Sequence, residues 1–171
     1  LNAEPTSNVV LTISSSDSGE ATATSLITFT TGNWDTAQTV TVTGVDDNLI
    51  DGTITSTITV AVNDGSSDNN FDPVNDQTVS VTTTDNDVAG FTIAQSGGST
   101  SVAETGSTDT FTVVLNAQPS SNVVLSISSS DAGEATVTSA LTFTTANWNS
   151  AQTVTVTGAD DNLVDGTQTS T

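Results

Sequence analysis

Apolar residues and small hydroxyl residues alternate along most of this chain. Thr39-Val40-Thr41-Val42-Thr43 is the cleanest stretch. Successive side chains of an extended strand point to opposite faces, so this stretch predicts valines on a core and threonines toward water. The same pattern predicts strands at Val9–Ile13, Leu26–Thr30, Thr53–Val62, Thr78–Thr83, Phe91–Ala94, Thr110–Leu115, Val123–Ile127, Leu141–Thr144 and Thr153–Thr157. Turn-forming stretches such as Asp17-Ser18-Gly19-Glu20 and Asn63-Asp64-Gly65-Ser66-Ser67-Asp68 lie between them. No stretch carries a sustained helical apolar stripe. Many short strands, short turns and no helices predict an all-β fold of sandwich or barrel type.

The chain also repeats itself. Residues 1–57 align without a gap to residues 115–171, at an offset of 114 and with 13 differences. Most differences are conservative, such as Thr6 with Ser120, Thr12 with Ser126 and Ile50 with Val164. A period of this length is too long for a solenoid coil and suits a whole β-sandwich domain. Thr82-Thr83-Thr84-Asp85-Asn86-Asp87 reads as a domain end, and Val88-Ala89-Gly90-Phe91-Thr92-Ile93 as the first strand of the next. The expected organisation is one repeat over residues 1–87 lacking its N-terminal strands, and the next over 88–171 lacking its C-terminal strands. Such a frame, with Leu1 in place of an initiator Met, predicts either a segment of a longer array or halves that complement each other or neighbouring chains.

Composition sharpens this picture. The 171 residues include no Lys, Arg, His, Cys, Met or Tyr, and 20 Asp and Glu give a formal charge of −20. Without a cationic side chain there is no surface to neutralise phosphates, so nucleic acid and anionic membrane surfaces are excluded as partners. No apolar run is long enough to insert into a membrane as a helix. Disulfides cannot staple the fold, and no carboxylate can pair with a basic side chain. Each must stay solvated, be protonated, accept hydrogen bonds or bind a metal. Twenty like charges repel one another across a small fold, and divalent cations would relieve that repulsion.

The carboxylates are scarce inside the predicted strands and dense just after them. Asp46 and Asp47 follow the strand ending near Thr43, with Asp51 close behind. Asp85 and Asp87 follow the strand ending at Thr83, and Glu104 follows Ser101-Val102-Ala103. The second copy repeats the central loop as Asp160, Asp161 and Asp165. Asp64, Asp68, Asp72 and Asp76 share one long loop. Calcium takes about six to eight hard oxygen ligands, which Asp-Asp and Asp-Asn-Asp clusters supply. Zinc, copper and iron generally use His or Cys, and the chain has neither. Neither an EF-hand loop nor a glycine-rich calcium-binding nonapeptide is present.

Leu141-Thr142-Phe143-Thr144, then Asn147-Trp148, then Thr153-Val154-Thr155-Val156 and Asp160-Asp161 together resemble the Calx-β domain. Ser101-Val102-Ala103-Glu104 resembles the acidic position of its first strand, and Thr84-Asp85-Asn86-Asp87 its terminal acidic cluster. The resemblance spans nearly the whole chain. That family includes calcium-sensing domains of sodium/calcium exchangers and many repeats of large bacterial surface proteins. The resemblance implies tandem immunoglobulin-like antiparallel β-sandwiches, with calcium bound at one end of each. Carried over, Asp46, Asp47, Asp51, Asp85 and Asp87 would serve the first repeat. Glu104, Asp160, Asp161 and Asp165 would serve the second. Calcium at Asp85 and Asp87 would also stiffen the junction between modules.

The expected function is therefore a calcium-binding structural spacer in a secreted, cell-surface, adhesin-like protein, with neighbouring repeats or copies of itself as partners. Strand complementation into a surface layer or extracellular filament is the alternative. A weaker one is carbohydrate binding on Trp34 and Trp148, although a single Trp per β module more often plugs the edge of a core. An enzyme is not expected. No His, Cys, Lys or Tyr is present to act as base or nucleophile, and near-identical repeats argue against one unique active site.

Overall fold

The computed structural model describes residues 1–164 and 166–171. The protein is all-β, with two short 3-10 turns at Asp64–Ser66 and Ser96–Gly98 and no α-helix among the described residues. It divides into two compact units, each with antiparallel sheets. The first comprises Leu1–Asp47 and Asp51–Asp85, the second Asn48–Ile50 and Asn86–Thr171.

The first unit contains β1 (Val9–Ser15), β2 (Ala21–Ala23), β3 (Leu26–Phe29), β4 (Val42–Gly44), β5 (Ile54–Val62) and β6 (Gln77–Thr83). One sheet has the order β3-β1-β5-β6, and β2 pairs with β4 in a second. The β1–β5 register sets Leu11 opposite Val62, Ile13 opposite Val60 and Ser15 opposite Ile58. Alternation then buries Val9, Ile13, Phe29 and Ile58. Asp68 ties down the long loop after β5. It is 4 % exposed. Its carboxylate accepts hydrogen bonds from the Thr6 backbone N–H (2.5 Å) and hydroxyl (2.8 Å), and from the Ser7 N–H (3.2 Å). The Asn70 N–H (3.0 Å) and side-chain amide (2.9 Å) donate to its other oxygen. These donors, the Asn70 N–H foremost, hold its carboxyl well below the usual carboxylate range. A buried carboxylate thus persists in a chain without cationic side chains because neutral donors saturate it.

The second unit contains β7 (Phe91–Gln95), β8 (Thr108–Leu115), β9 (Val123–Ser126), β10 (Ala135–Val137), β11 (Ala140–Phe143) and β12 (Gln152–Gly158). Its larger sheet runs β10-β12-β8-β7, and β9 pairs with β11. Both sheets feed one core. Val113, Leu115 and Val154 meet Leu141 and Phe143, with Trp148 packed against them. Burying each large apolar side chain there stabilises by about 1.5–3 kcal/mol. Trp148 therefore sits against the core, as the commoner role of a lone Trp requires.

The repeat explains what the copies share and where they differ. Asn33 takes the Thr30 N–H (2.6 Å) and hydroxyl (3.0 Å) on its side-chain oxygen, and Asn147 does the same for Thr144 (2.5 and 3.0 Å). These turns place the following Trp in both copies. The expected strand at Thr39–Thr43 forms only from Val42 onward in the first unit, and Val42 is 37 % exposed. Its repeat equivalent Val156 is 8 % exposed and Val154 fully buried. The difference lies in the partner: β12 is paired along its length with β8, whereas β4 pairs with β2 alone. Strands β2 and β10 are additions to the expected set. Ala21-Thr22-Ala23 and Ala135-Thr136-Val137 are too short and too small in side chain to announce themselves by alternation.

Candidate metal centre

In the first unit a turn positions Glu20. The Gly19 N–H donates to the Asp17 carboxylate at 3.0 Å, and the Ala21 N–H to the Asp17 carbonyl at 3.1 Å. This Asx-type turn delivers the chain into β2. The Glu20 carbonyl then accepts the Val45 N–H at 2.9 Å and the Thr83 hydroxyl at 3.1 Å. Glu20 is thereby fixed beside the start of the loop that carries Asp46 and Asp47. Farther along this loop Gly52 has φ +80 and donates its N–H to the Asp85 carboxylate at 2.9 Å. A left-handed backbone there costs glycine nothing, and Asp51 is the residue just before this turn.

These constraints bring ligand oxygens of Glu20, Asp47 and Asp51 within 4.8 Å of one another. Glu20 is half-buried, and the two aspartates are exposed. The Glu20 carboxyl is raised above its ordinary value. Partial burial contributes most, followed by the negative charges of Asp51, Asp17 and Asp47 and a hydrogen bond with Asp51. The cluster concentrates negative charge at a point that no basic side chain of this chain can neutralise. All the donors are hard carboxylate oxygens. Three carboxylates, with carbonyls and water to complete the shell, match the preference of calcium or magnesium. The donor set does not suit metals that favour nitrogen or sulfur.

Of the residues expected from sequence, Asp47 and Asp51 belong to this group. Asp85 is tied to it through Gly52. Asp46 is exposed and lies outside it, and Asp87 is half-buried beyond Asp85. Glu20 was not among the expected ligands. Its signal was present in the repeat: Asp17-Ser18-Gly19-Glu20 recurs as Asp131-Ala132-Gly133-Glu134 at the same offset as the Asp-Asp loop.

The second unit rebuilds the same scaffold. The Gly133 N–H donates to Asp131 at 3.0 Å, and the Ala159 N–H to the Glu134 carbonyl at 2.9 Å. Gly166 has φ +76, like Gly52. Asp161 is half-buried and accepts the Leu163 N–H at 2.7 Å, while Asp160 is exposed. Asp165 lies outside the described residues. Glu104 is half-buried and lines a cavity together with Glu134. The loop bearing Glu104 packs on the end of β12, where the Gly158 N–H donates to the Ser107 carbonyl at 3.0 Å. A Cβ at Gly158 would lie 2.1 Å from the Ala103 carbonyl oxygen, so the close approach requires glycine.

No protein-family model matches the chain, and no characterised protein or solved structure is significantly similar to it.

Proposed function

We propose that the chain is a pair of calcium-binding structural repeats of the Calx-β type, acting as spacers in a secreted or cell-surface adhesin-like protein. The observation that carries this is the convergence of Glu20, Asp47 and Asp51 in a chain of charge −20 without basic side chains. Carboxylates this close repel one another, and a divalent cation reverses the sign of that interaction. Glu20, Asp47 and Asp51 would hold the ion, with Asp85 supporting the loop. A bound ion would cross-link the β2 entry to the loop after β4 and so rigidify one end of the unit. Glu134, Asp161 and Asp165 are the corresponding set in the second repeat.

The immunoglobulin-like sandwich is supported by combining the copies through the repeat. Strands β1, β2 and β3 correspond to β9, β10 and β11, and β4 to the end of β12. One whole repeat then has one sheet ordered β10-β12-β8-β7, and another in which β5 and β6 continue from the β11-β9 pair. Two such sheets over a shared core form a β-sandwich. Acidic surfaces keep long repeat arrays soluble, in keeping with an extracellular spacer.

Isothermal titration of the metal-free chain with calcium, at fixed ionic strength, tests the proposal. Saturable binding that is weakened at least tenfold in Glu20→Gln and in Asp51→Asn supports it. Heats indistinguishable from those of sodium chloride would end it and leave the carboxylates as a solvated, repulsive surface.

A further inference from the structure

An aspartyl side chain closes most readily on its own backbone where glycine follows, because glycine leaves the next amide nitrogen uncrowded. The chain has three such pairs: Asp51-Gly52, Asp64-Gly65 and Asp165-Gly166. Asp165 lies outside the described residues. The other two pairs are both exposed, and the fold holds them differently.

Asp64-Gly65 lies in the 3-10 turn Asp64–Ser66. The Ser66 N–H donates to the Asn63 carbonyl at 2.9 Å, and the Ser67 N–H to the Asp64 carbonyl at 3.4 Å. The second bond holds the very peptide that must turn before the Gly65 nitrogen can face the Asp64 carboxyl. Asp51-Gly52 lies in the loop before β5, outside any strand or helical turn. Its Gly52 N–H donates to a side chain, the Asp85 carboxylate, at 2.9 Å. A Cβ at Gly52 would meet nothing within 4 Å, so the space beside it is open. The Asp51 carboxylate also stands within 4.8 Å of those of Glu20 and Asp47. Like charges that close repel, and no basic side chain of the chain offsets them. A reaction that removes the Asp51 charge is therefore favoured there. Asp64 belongs to no such group among the described residues.

We infer that Asp51 is a site of spontaneous isoaspartate formation, selected by the fold over the exposed pair Asp64-Gly65. The Gly52 nitrogen bonds to Cγ of Asp51. One carboxylate oxygen leaves as water, carrying the amide proton and one proton from solvent. The product is a neutral five-membered imide, free of the repulsion from Glu20 and Asp47. Water then opens the ring and the new carboxyl releases a proton. Cleavage of the new bond returns aspartate, and cleavage of the original peptide bond gives isoaspartate. Isoaspartate carries one more methylene in the main chain and one fewer in the side chain, which withdraws the carboxylate from the cluster. Calcium held by Asp51 would occupy the oxygen that must leave and cancel the repulsion, so it would slow the reaction. That last step alone rests on the metal proposal.

The test ages the full chain for weeks at neutral pH and body temperature in chelator. Peptide mapping with electron-transfer fragmentation locates isoaspartate residue by residue. Isoaspartate should accumulate at Asp51 at least fivefold faster than at Asp64. In urea, where both pairs are unfolded, the two rates should converge. Glu20→Gln, which removes one repelling charge, should slow the reaction at Asp51 at least twofold. Equal or faster reaction at Asp64 in the folded chain, a preference for Asp51 that persists in urea, or acceleration by Glu20→Gln overturns the inference. Should that variant misfold, the folded and unfolded wild-type chains decide. A parallel sample in calcium should show slower reaction at Asp51 and an unchanged rate at Asp64. An unchanged rate at Asp51 in calcium counts against the metal proposal and leaves the result in chelator standing.

Discussion

Replacing Glu20 with Gln should have opposite effects on the metal-free and calcium-loaded protein. The folded-state carboxyl of Glu20 is raised by partial burial and by Asp51, Asp17 and Asp47. A group raised in this way contributes stability that is fully present below its unfolded value, about pH 4.3, and is lost as pH rises through the folded value. At neutral pH the ionised Glu20 therefore works against folding, and a neutral glutamine of the same shape relieves the strain. In chelator, Glu20→Gln should raise the unfolding midpoint of the first unit above wild type. In calcium the order reverses. An ion at 100 times its dissociation constant stabilises the wild type by about 2.7 kcal/mol. For a unit of about 80 residues each kcal/mol is worth roughly 4–8 °C. Calcium should thus raise the wild-type midpoint by about 10–20 °C, and the variant by a small part of that. Trp34 and Trp148 give one fluorophore per unit, so a Trp148→Phe background reports the first unit alone. Asp35→Asn is the control: Asp35 lies outside the cluster, and the second repeat carries Asn149 at the equivalent position. The reasoning fails if Glu20→Gln lowers the midpoint in chelator, or if it matches Asp35→Asn in calcium.

The repeat supplies matched controls for three further predictions. Val154→Ala should cost about 2–3 kcal/mol in urea unfolding, because it empties a fully buried site, whereas Val40→Ala, at the half-buried equivalent, should cost under about 1 kcal/mol. Gly158→Ala drives a methyl into the Ala103 carbonyl and should destabilise the second unit by about 1–3 kcal/mol, with faster amide exchange at Ser101–Ser107. Gly44→Ala, whose Cβ would meet only Thr83 at 3.9 Å, should be tolerated. Asp68 is lowered by its donors, so its stabilisation is present above the unfolded value and is lost as pH falls through the folded one. Asp68→Asn should lower the midpoint of the first unit at neutral pH and flatten its decline below about pH 4, measured by thermal unfolding across an acid series.

Much of the fold was legible because alternation is a local property. Leu26–Phe29, Ile54–Val62 and Gln77–Thr83 announce themselves by which side chains a pleated strand exposes. The candidate site was only half legible. Asp47 and Asp51 were marked by sitting after a strand, but Glu20 looked like one more polar residue in a turn. Its carboxylate meets theirs because β2 pairs with β4, and that pairing rests on three residues of weak pattern. Asp68 looked like the other aspartates of its loop. Only the folded loop shows it buried on the donors of Thr6, Ser7 and Asn70.

The sequence by itself determined the strand-forming segments, the repeat of 114 residues and an acidity that no internal cation offsets. Only the tertiary structure decided which of two identical strands becomes core. Thr-Val-Thr-Val-Thr is exposed at its second valine in one copy, where Val42 is 37 % exposed, and has both valines buried in the other. An alternating strand offers an apolar face, but a neighbouring strand and a facing sheet must be present before that face leaves water. The same holds for the carboxylates: their number is written in the chain, and their convergence is set by the strand pairing that carries them together.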